Sequence, residues 1–415
     1  MDKRLQSALN LHQPAQSLAA RRPVLMALAL SLGATISLGL SRFSYALLLP
    51  PMRADLGWNY FLSGSMNTGN ALGYFIGALL TPVLMRRCRA QTPLVGGALL
   101  ASVAMMLSGL VVDPNLLMAQ RVLAGVASSL VFIAGGVLTA RLSSLHPDRA
   151  GLLIGIYYGG TGLGILVSAL LVPLTLHIAT LYASAHPWQW AWVSLGAVCL
   201  VATAIMARVA AEVDGAPTAP GTHGHFRIKP FAYGLAGYLM FGVGYIAYMT
   251  FVIALLKEQG MSPNTVIWFY AVLGIAVMAS SRLWAGMLGR FKGGQSMAIL
   301  NALLGVATIM PALTASLPLV FLSGLMFGAM FLSVVASATA LVRHNLPAHA
   351  WSAGISAFTT AFAFGQIIGP SIIGWIADGP GGLQRGLIFS ALALFIGAGL
   401  AARQRELTPT ENCPE

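Results

Sequence analysis

"VLMALALSLGATISLGLSRFSYALLL", residues 24–49, runs for 26 residues with a single charge, Arg42. A helix rises about 1.5 Å per residue, so the run is long enough to cross the roughly 30 Å hydrocarbon core of a bilayer. Comparable runs occupy residues 60–85, 93–112, 115–140, 151–173, 188–208, 231–255, 264–289, 295–315, 318–342, 351–376 and 386–402. The chain has 415 residues, 57% of them hydrophobic and 8% charged, and a mean hydropathy of +0.79. Soluble domains carry about 25% charged residues, so this composition belongs to an integral membrane protein. Lipid cannot hydrogen-bond an open backbone and the runs are too long for barrel strands. The expected fold is therefore all-α, with twelve transmembrane helices.

The net charge of +12 is spread as a topology signal. With the N-terminus inside, 17 of the 23 basic residues fall on the cytoplasmic side, and three, Arg53, Lys257 and Arg385, on the other. That asymmetry predicts cytoplasmic termini in a bacterial inner membrane. It assigns the basic balance to the lipid bilayer and excludes nucleic acid as the expected partner. Residues 1–23 are too polar for a signal peptide and read as a cytoplasmic segment. Cys88, Cys199 and Cys413 are scattered, and His223 and His225 read as solvated loop residues, so neither a metal site nor a cofactor is expected.

Residues 209–230, which include "AAEVDGAPTAPGTHGHFRIKP" (210–230), read as a cytoplasmic linker. It divides an N-terminal six-helix half (24–208) from a C-terminal one (231–402), with a cytoplasmic tail over 403–415. The halves echo each other at an offset of 203 residues: "GLSRFSY" (39–45) lies over "GVGYIAY" (242–248), "DLGW" (55–58) over "EQGM" (258–261), and Gly125 over Gly328. The match drifts slightly in spans 5 and 11, where Gly160 and Gly164 correspond to Gly365 and Gly369. Duplication of a six-span unit is transporter architecture, with a site near the midplane between the halves.

Over residues 24–402 the sequence resembles the major facilitator superfamily, and within it the bacterial YbfB/YjiJ-type branch. The resemblance rests on "LSRFSYALLLPPMRADLGW" (40–58), "NTGNALGYFIGALL" (67–80), "GYIAYMTFV" (244–252) and "GQIIGPSIIGWIAD" (365–378). In "QRVLAGVASS" (120–129), Arg121 and Gly125 match the Arg-x-x-x-Gly motif of span 4; "GIYYGGTGLG" (155–164) matches the glycine-rich span-5 motif, with Gly160 where proline is usual. The resemblance implies a monomer of two rocking six-helix bundles, with spans 1 and 4 lining a central cavity. The family's Asp-Arg latch after span 2 is altered: "GALLTPVLMRR" (77–87) has Thr81 and Pro82 there. After span 8, "GMLGRFKGG" (286–294) has Gly289 in the Asp position and keeps Arg290.

Three arginines, Arg42, Arg121 and Arg282, lie inside the runs, with no Asp, Glu or His. On insertion scales an Arg at mid-membrane costs about 2.5–3.5 kcal/mol, so each must face a polar cavity, pair or snorkel. Arg42 lies eight residues before Pro50 and Arg121 seven after Pro114, which sets both roughly 10–12 Å from the same membrane face. The second half has Tyr245 and Gly324 at the matching places, so the scaffold itself does not require these charges. Two level guanidiniums suit one anion. Arg121 has a second reading, as a tie between helix ends, and Arg282 is expected to snorkel or pack against Trp284.

The candidate substrate contacts are Arg42, Arg121, Tyr45, Asn67, Asn70, Tyr245, Tyr248 and Gln366. Asn67 and Asn70 share a face of span 2 with Ser63 and Tyr74, as Gln366 does on span 11 with Ser352, Ser356 and Thr359. Gly125, Gly155, Gly159, Gly164, Gly365 and Gly369 are expected to let helices approach closely, and Pro370 to kink span 11. Trp188, Trp190 and Trp192 read as an interfacial anchor. Arginine does not titrate, so it cannot be the proton switch. The reading is a secondary carrier, working by alternating access, for a small organic anion such as a carboxylate. It is not an enzyme, since acid–base and metal-ligand residues are missing from the spans. The alternatives are an efflux carrier for apolar or neutral compounds with structural arginines and, more remotely, a receptor.

Overall fold

A computed structural model describes residues 22–214, 226–347 and 350–407. The N-terminal segment up to residue 21, residues 215–225 of the expected linker with His223 and His225, the tail from residue 408 with Cys413, and the side chains of Ser281 and Ser352 lie outside what is described. Among the described residues, twelve helices are long and apolar enough to cross a membrane: α1 (Pro23–Leu56), α2 (Tyr60–Arg87), α3 (Gln91–Ser108), α4 (Pro114–Ser144), α5 (Pro147–Leu181), α6 (Pro187–Val213), α7 (Lys229–Glu258), α8 (Pro263–Arg290), α9 (Gln295–Leu313), α10 (Leu317–Asn345), α11 (Ala353–Ala377) and α12 (Gly382–Ala402). The described residues contain no strand.

Several helices outrun the apolar runs that announced them. α1 continues through Pro50 and Pro51 to Leu56, and α5 through Pro173 to Leu181. Hydropathy marks where lipid ends, whereas a helix ends where its last backbone groups find other partners. α1 stops at Gly57, whose φ of 65° is a left-handed cap that favours glycine. α2 starts where the Asn59 side chain accepts from Leu62 N, and α4 where Asp113 accepts from Asn115 N and Leu116 N. α3 ends at Ser108, short of the expected 112, with Gly109 at its C-cap, and residues 109–113 form the turn into α4.

Each half repeats the same packing. The neighbours α2–α4, α3–α4, α3–α6 and α1–α5 recur as α8–α10, α9–α10, α9–α12 and α7–α11. Between the halves, α2 packs on α11 and α5 on α8, two pairs exchanged by the pseudo-twofold relation. Both crossings need glycine. A Cβ on Gly64 would lie 2.2 Å from Pro370 O, and one on Gly162 would lie 2.3 Å from Gly274 O. α1 and α7 are the most enclosed spans and face each other across the centre.

Candidate functional site

The site begins with an irregularity in α1. Residues Thr35–Phe43 form a π-helical segment, closed by Ser44 N donating to Gly39 O at 3.2 Å. Wide turns of this kind loosen the backbone ladder and occur often at functional sites. Side chains from neighbouring helices fill the loosened positions. Ser128 Oγ donates to Ser37 O (2.9 Å), Arg121 Nη1 to Ser41 O (2.8 Å) and Tyr270 Oη to Phe43 O (2.6 Å). The segment also lies directly on α5: a Cβ on Gly39 would be 2.5 Å from Gly164 Cα.

This wide turn carries Arg42, which is 2% exposed. Its Nε and Nη2 are buried without a hydrogen-bond partner, and its guanidinium lies 5.7 Å from the ring centre of Tyr74. Those two nitrogens form the side-on edge of the guanidinium, the edge that matches a carboxylate bidentately. Arg121 is next to it and differs in kind. Its Nη1 is held by Ser41 O and its Nη2 by Asn67 Oδ1 (2.9 Å), and the rings of Tyr45 and Trp192 lie 4.8 and 5.5 Å away. Asn67 Nδ2 then donates to Thr250 Oγ1 on α7 at 2.7 Å, and Asn70 Nδ2 to Arg121 O at 3.2 Å. Tyr45 Oη donates to Ser63 O at 2.9 Å. Arg121 therefore ties α4 to α1 and α2, and through Asn67 to the other half. Neither arginine meets a carboxylate among the described residues.

On the opposite side, Tyr245 Oη donates to Gln366 Oε1 at 2.9 Å, and its ring stacks on Phe331 (5.9 Å), which meets Phe43, the neighbour of Arg42, at 5.8 Å. Arg42, Tyr245 and Gln366 thus share a centre with Tyr74. Tyr248 stands apart, its hydroxyl 2.8 Å from Ser323 Oγ and its ring 4.0 Å from Phe327 inside the C-terminal half. Tyr74 and Tyr158 stand outside the substrate contacts expected from sequence. Tyr74 shares the span-2 face of Asn67 and Asn70, and Tyr158 stands in "GIYYGG" (155–160); aromatic residues in apolar runs give no signal of which way they point.

The small residues sit as follows. A Cβ would lie 2.1 Å from Asn70 O at Gly125, 2.6 Å from Thr35 O at Gly164, 2.3 Å from Leu239 O at Gly365 and 2.7 Å from Val243 O at Gly369. At Gly159 it would make only an ordinary 3.5 Å contact with Met278 O, and Gly155 is half-buried on α5. Pro370 lies inside a helix that continues to Ala377. The tryptophan reading needs correction. Only Trp190 is exposed; Trp188 donates from Nε1 to Asp55 at 2.5 Å and Trp192 lies beside Arg121, because these two, four residues apart, share the face that α6 turns into the bundle. Arg282 is exposed, while Trp284 turns to donate to Ala329 O (2.9 Å) at a break in α8.

From mid-membrane to the end opposite the termini, hydrogen bonds join the halves. Thr68 Oγ1 donates to Ile367 O (2.8 Å), and Ser65 Oγ lies 3.2 Å from Ser371 Oγ. Asp378, at the end of α11, accepts from Tyr60 N (2.7 Å) and Phe61 N (2.8 Å), capping α2 from the other half. Tyr60 Oη donates to Glu258, and Arg53 lies 3.9 Å from the Tyr60 ring centre. This end is closed. Toward the termini, Tyr74, Phe132, Tyr158 and Phe362 keep part of their surface.

The sequence profile of the family described as "Uncharacterised MFS-type transporter YbfB" matches residues 34–402. Comparison with curated protein sequences gives no match. Among solved structures, a bacterial homolog of the human lysosomal transporter Spinster, in an inward-facing and unoccupied conformation, is 14% identical with a TM-score of 0.67, covering 91% of this chain and 95% of that one. The nucleoside transporter NupG is 14% identical with a TM-score of 0.68, covering 91% and 98%. The major facilitator superfamily transporter FucP, in an outward conformation, is 13% identical with a TM-score of 0.61, covering 92% and 99%. At these identities the likeness is one of fold, and it is the fold of carriers that work by alternating access between two six-helix halves. The family profile spans nearly all the described helices, and the chain belongs to the YbfB-type family of major facilitator superfamily transporters.

Proposed function

We propose that this transporter is a secondary carrier for a small organic anion, a carboxylate, held between the halves by Arg42. The observation that carries the reading is the bare side-on edge of that arginine, Nε and Nη2, buried with no acceptor. Buried polar groups are nearly always satisfied, and exceptions call for a functional account. A carboxylate supplies two acceptors with the spacing that edge requires. Arg121 adds positive charge, but its terminal nitrogens are engaged by Ser41 and Asn67, so its part is to hold the site. Tyr245 and Gln366 offer neutral polar groups to the remainder of the substrate. The basic-residue asymmetry supports cytoplasmic termini in a bacterial inner membrane. The closed end is then periplasmic and the carrier faces inward, as a monomer.

The test is a thermal-shift screen of purified protein against small carboxylates, with neutral and cationic analogues beside them, repeated on Arg42→Gln. Stabilisation by the anions and its loss in a folded Arg42→Gln is the expected result. Equal stabilisation of wild type and variant by neutral or cationic compounds would leave the arginines as scaffolding and point to a carrier of apolar or neutral compounds.

A further inference from the structure

Beyond its charged group, a substrate at Arg42 meets rings. On the N-terminal side, Tyr74 lies over the guanidinium, and Tyr158 packs against Tyr157 (ring centres 5.2 Å apart) and Phe132 (5.5 Å). On the C-terminal side, Phe362 stacks on Tyr238, Phe241 and Tyr245, with ring centres 5.0, 5.3 and 5.5 Å away and planes within 22°, 11° and 18°. The two walls meet through Arg42 and its neighbour Phe43: Phe331 stacks on Tyr245 with ring centres 5.9 Å apart and touches Phe43, and Arg42 lies against Tyr74. Phe43 and Phe331, edge to face at 5.8 Å, join α1 to α10 beside them.

Core packing alone would bury such rings fully, as it does Phe241, Tyr245 and Phe331. Four of them are different. Tyr74, Phe132, Tyr158 and Phe362 stay half-buried although they belong to the inward-facing walls. A ring turned inward and left partly uncovered presents that surface to the space between the halves. The parallel planes around Phe362 suit a flat guest, since aromatic rings attract in offset-stacked and edge-to-face arrangements at centroid distances of about 4.5–7 Å. A saturated ring of the same size buries similar area without that term.

We infer that the substrate is an aromatic carboxylate, with its carboxylate on Arg42 Nε and Nη2 and its ring between Phe362 and the Tyr74–Tyr158 wall. This rests on the carboxylate reading and extends it to the rest of the molecule. The interaction of a well-stacked ring corresponds to an affinity ratio of about fivefold to tenfold over the saturated analogue.

The experiment is calorimetric titration of the full-length protein, in detergent at neutral pH, with two matched pairs: benzoate against cyclohexanecarboxylate, and 2-naphthoate against its fully saturated counterpart. Benzamide serves as the uncharged control. Each aromatic acid should bind about fivefold to tenfold tighter than its partner, benzamide should bind far more weakly, and Phe362→Leu should bring the ratio close to one. If Phe362→Leu does not give a monodisperse protein, Tyr158→Leu makes the same test from the opposite wall. Equal binding of aromatic and saturated acids, both lost in Arg42→Gln, would overturn the aromatic inference and leave the carboxylate reading standing. So would an aromatic preference untouched by the wall variants, since the ring would then lie elsewhere. Benzamide binding as well as benzoate, or no probe binding at all, would overturn both.

Discussion

Arg42 and Arg121 are the same residue type at nearly the same depth, and the structure gives them opposite chemistry. Arg121 makes two buried charge-assisted hydrogen bonds, to Ser41 O and Asn67 Oδ1. Arg42 leaves two buried nitrogens bare. Replacing a buried donor that has partners leaves those partners unsatisfied, at about 1–3 kcal/mol each, whereas removing one without an acceptor strands no acceptor and relieves two unmet buried donors. Arg121→Gln is therefore expected to destabilise the protein by about 2–6 kcal/mol, and Arg42→Gln to match or exceed wild-type stability without ligand. Melting curves of the three proteins in one detergent check this. Equal losses in both variants would mean that Arg42 has structural partners after all. The sequence showed two unusual charges at one level; which was bare depended on Asn67, 54 residues from Arg121, and Ser41, 80 residues from it.

At the scale of elements, α1 and α2 hold what hydropathy could not reveal. The apolar run to Leu49 signals a span, but neither its π-helical turn nor its continuation past two prolines follows from composition. The turn is stabilised from outside, by donors on α4 and α8 and by the contact of Gly39 with Gly164. Gly39→Ala forces a methyl against backbone at 2.5 Å; overpacking of this kind costs about 1–3 kcal/mol. It should also weaken anion binding by shifting Arg42, measured by the same titration; unchanged affinity in the folded variant would show that the turn does not aim the guanidinium. Asp378 is the second such case. Its carboxylate accepts from the first two amides of α2, where the helix dipole favours negative charge. Asp378→Asn loses the charge and one acceptor, a cap loss of about 0.5–2 kcal/mol. Spin labels on the Asp378-side ends of α2 and α11 should then report a larger population of long distances. An unaltered distance distribution would remove Asp378 from the closure.

At the scale of the whole molecule, the two halves close on each other from Asn67–Thr250 to Tyr60–Asp378, while rings nearer the termini remain partly uncovered. Access should follow that asymmetry. With the native cysteines replaced, Tyr158→Cys is expected to react with a membrane-impermeant thiol reagent from the side of the termini, and Thr250→Cys to stay protected from both sides. Fast labelling at residue 250 from the opposite side would mean that the resting carrier is open there. The repeat itself was readable: Gly164 and Gly369, paired by the repeat where its offset drifts slightly, both meet the backbone of the most enclosed span of their own half, Thr35 O on α1 and Val243 O on α7.

By itself, the sequence determined that the chain spans a membrane twelve times as helices in two related halves. That information is local: in lipid each helix satisfies its own backbone, and a run of apolar residues is enough to specify it. The tertiary structure alone decided which arginine keeps a free edge, which tyrosines face it and which end is shut. Those depend on how each helix is rotated about its axis and on partners that reach from Tyr60 to Asp378, 318 residues apart. A helix that is apolar all round carries almost no record of its own rotation, so only packing against its neighbours can set it.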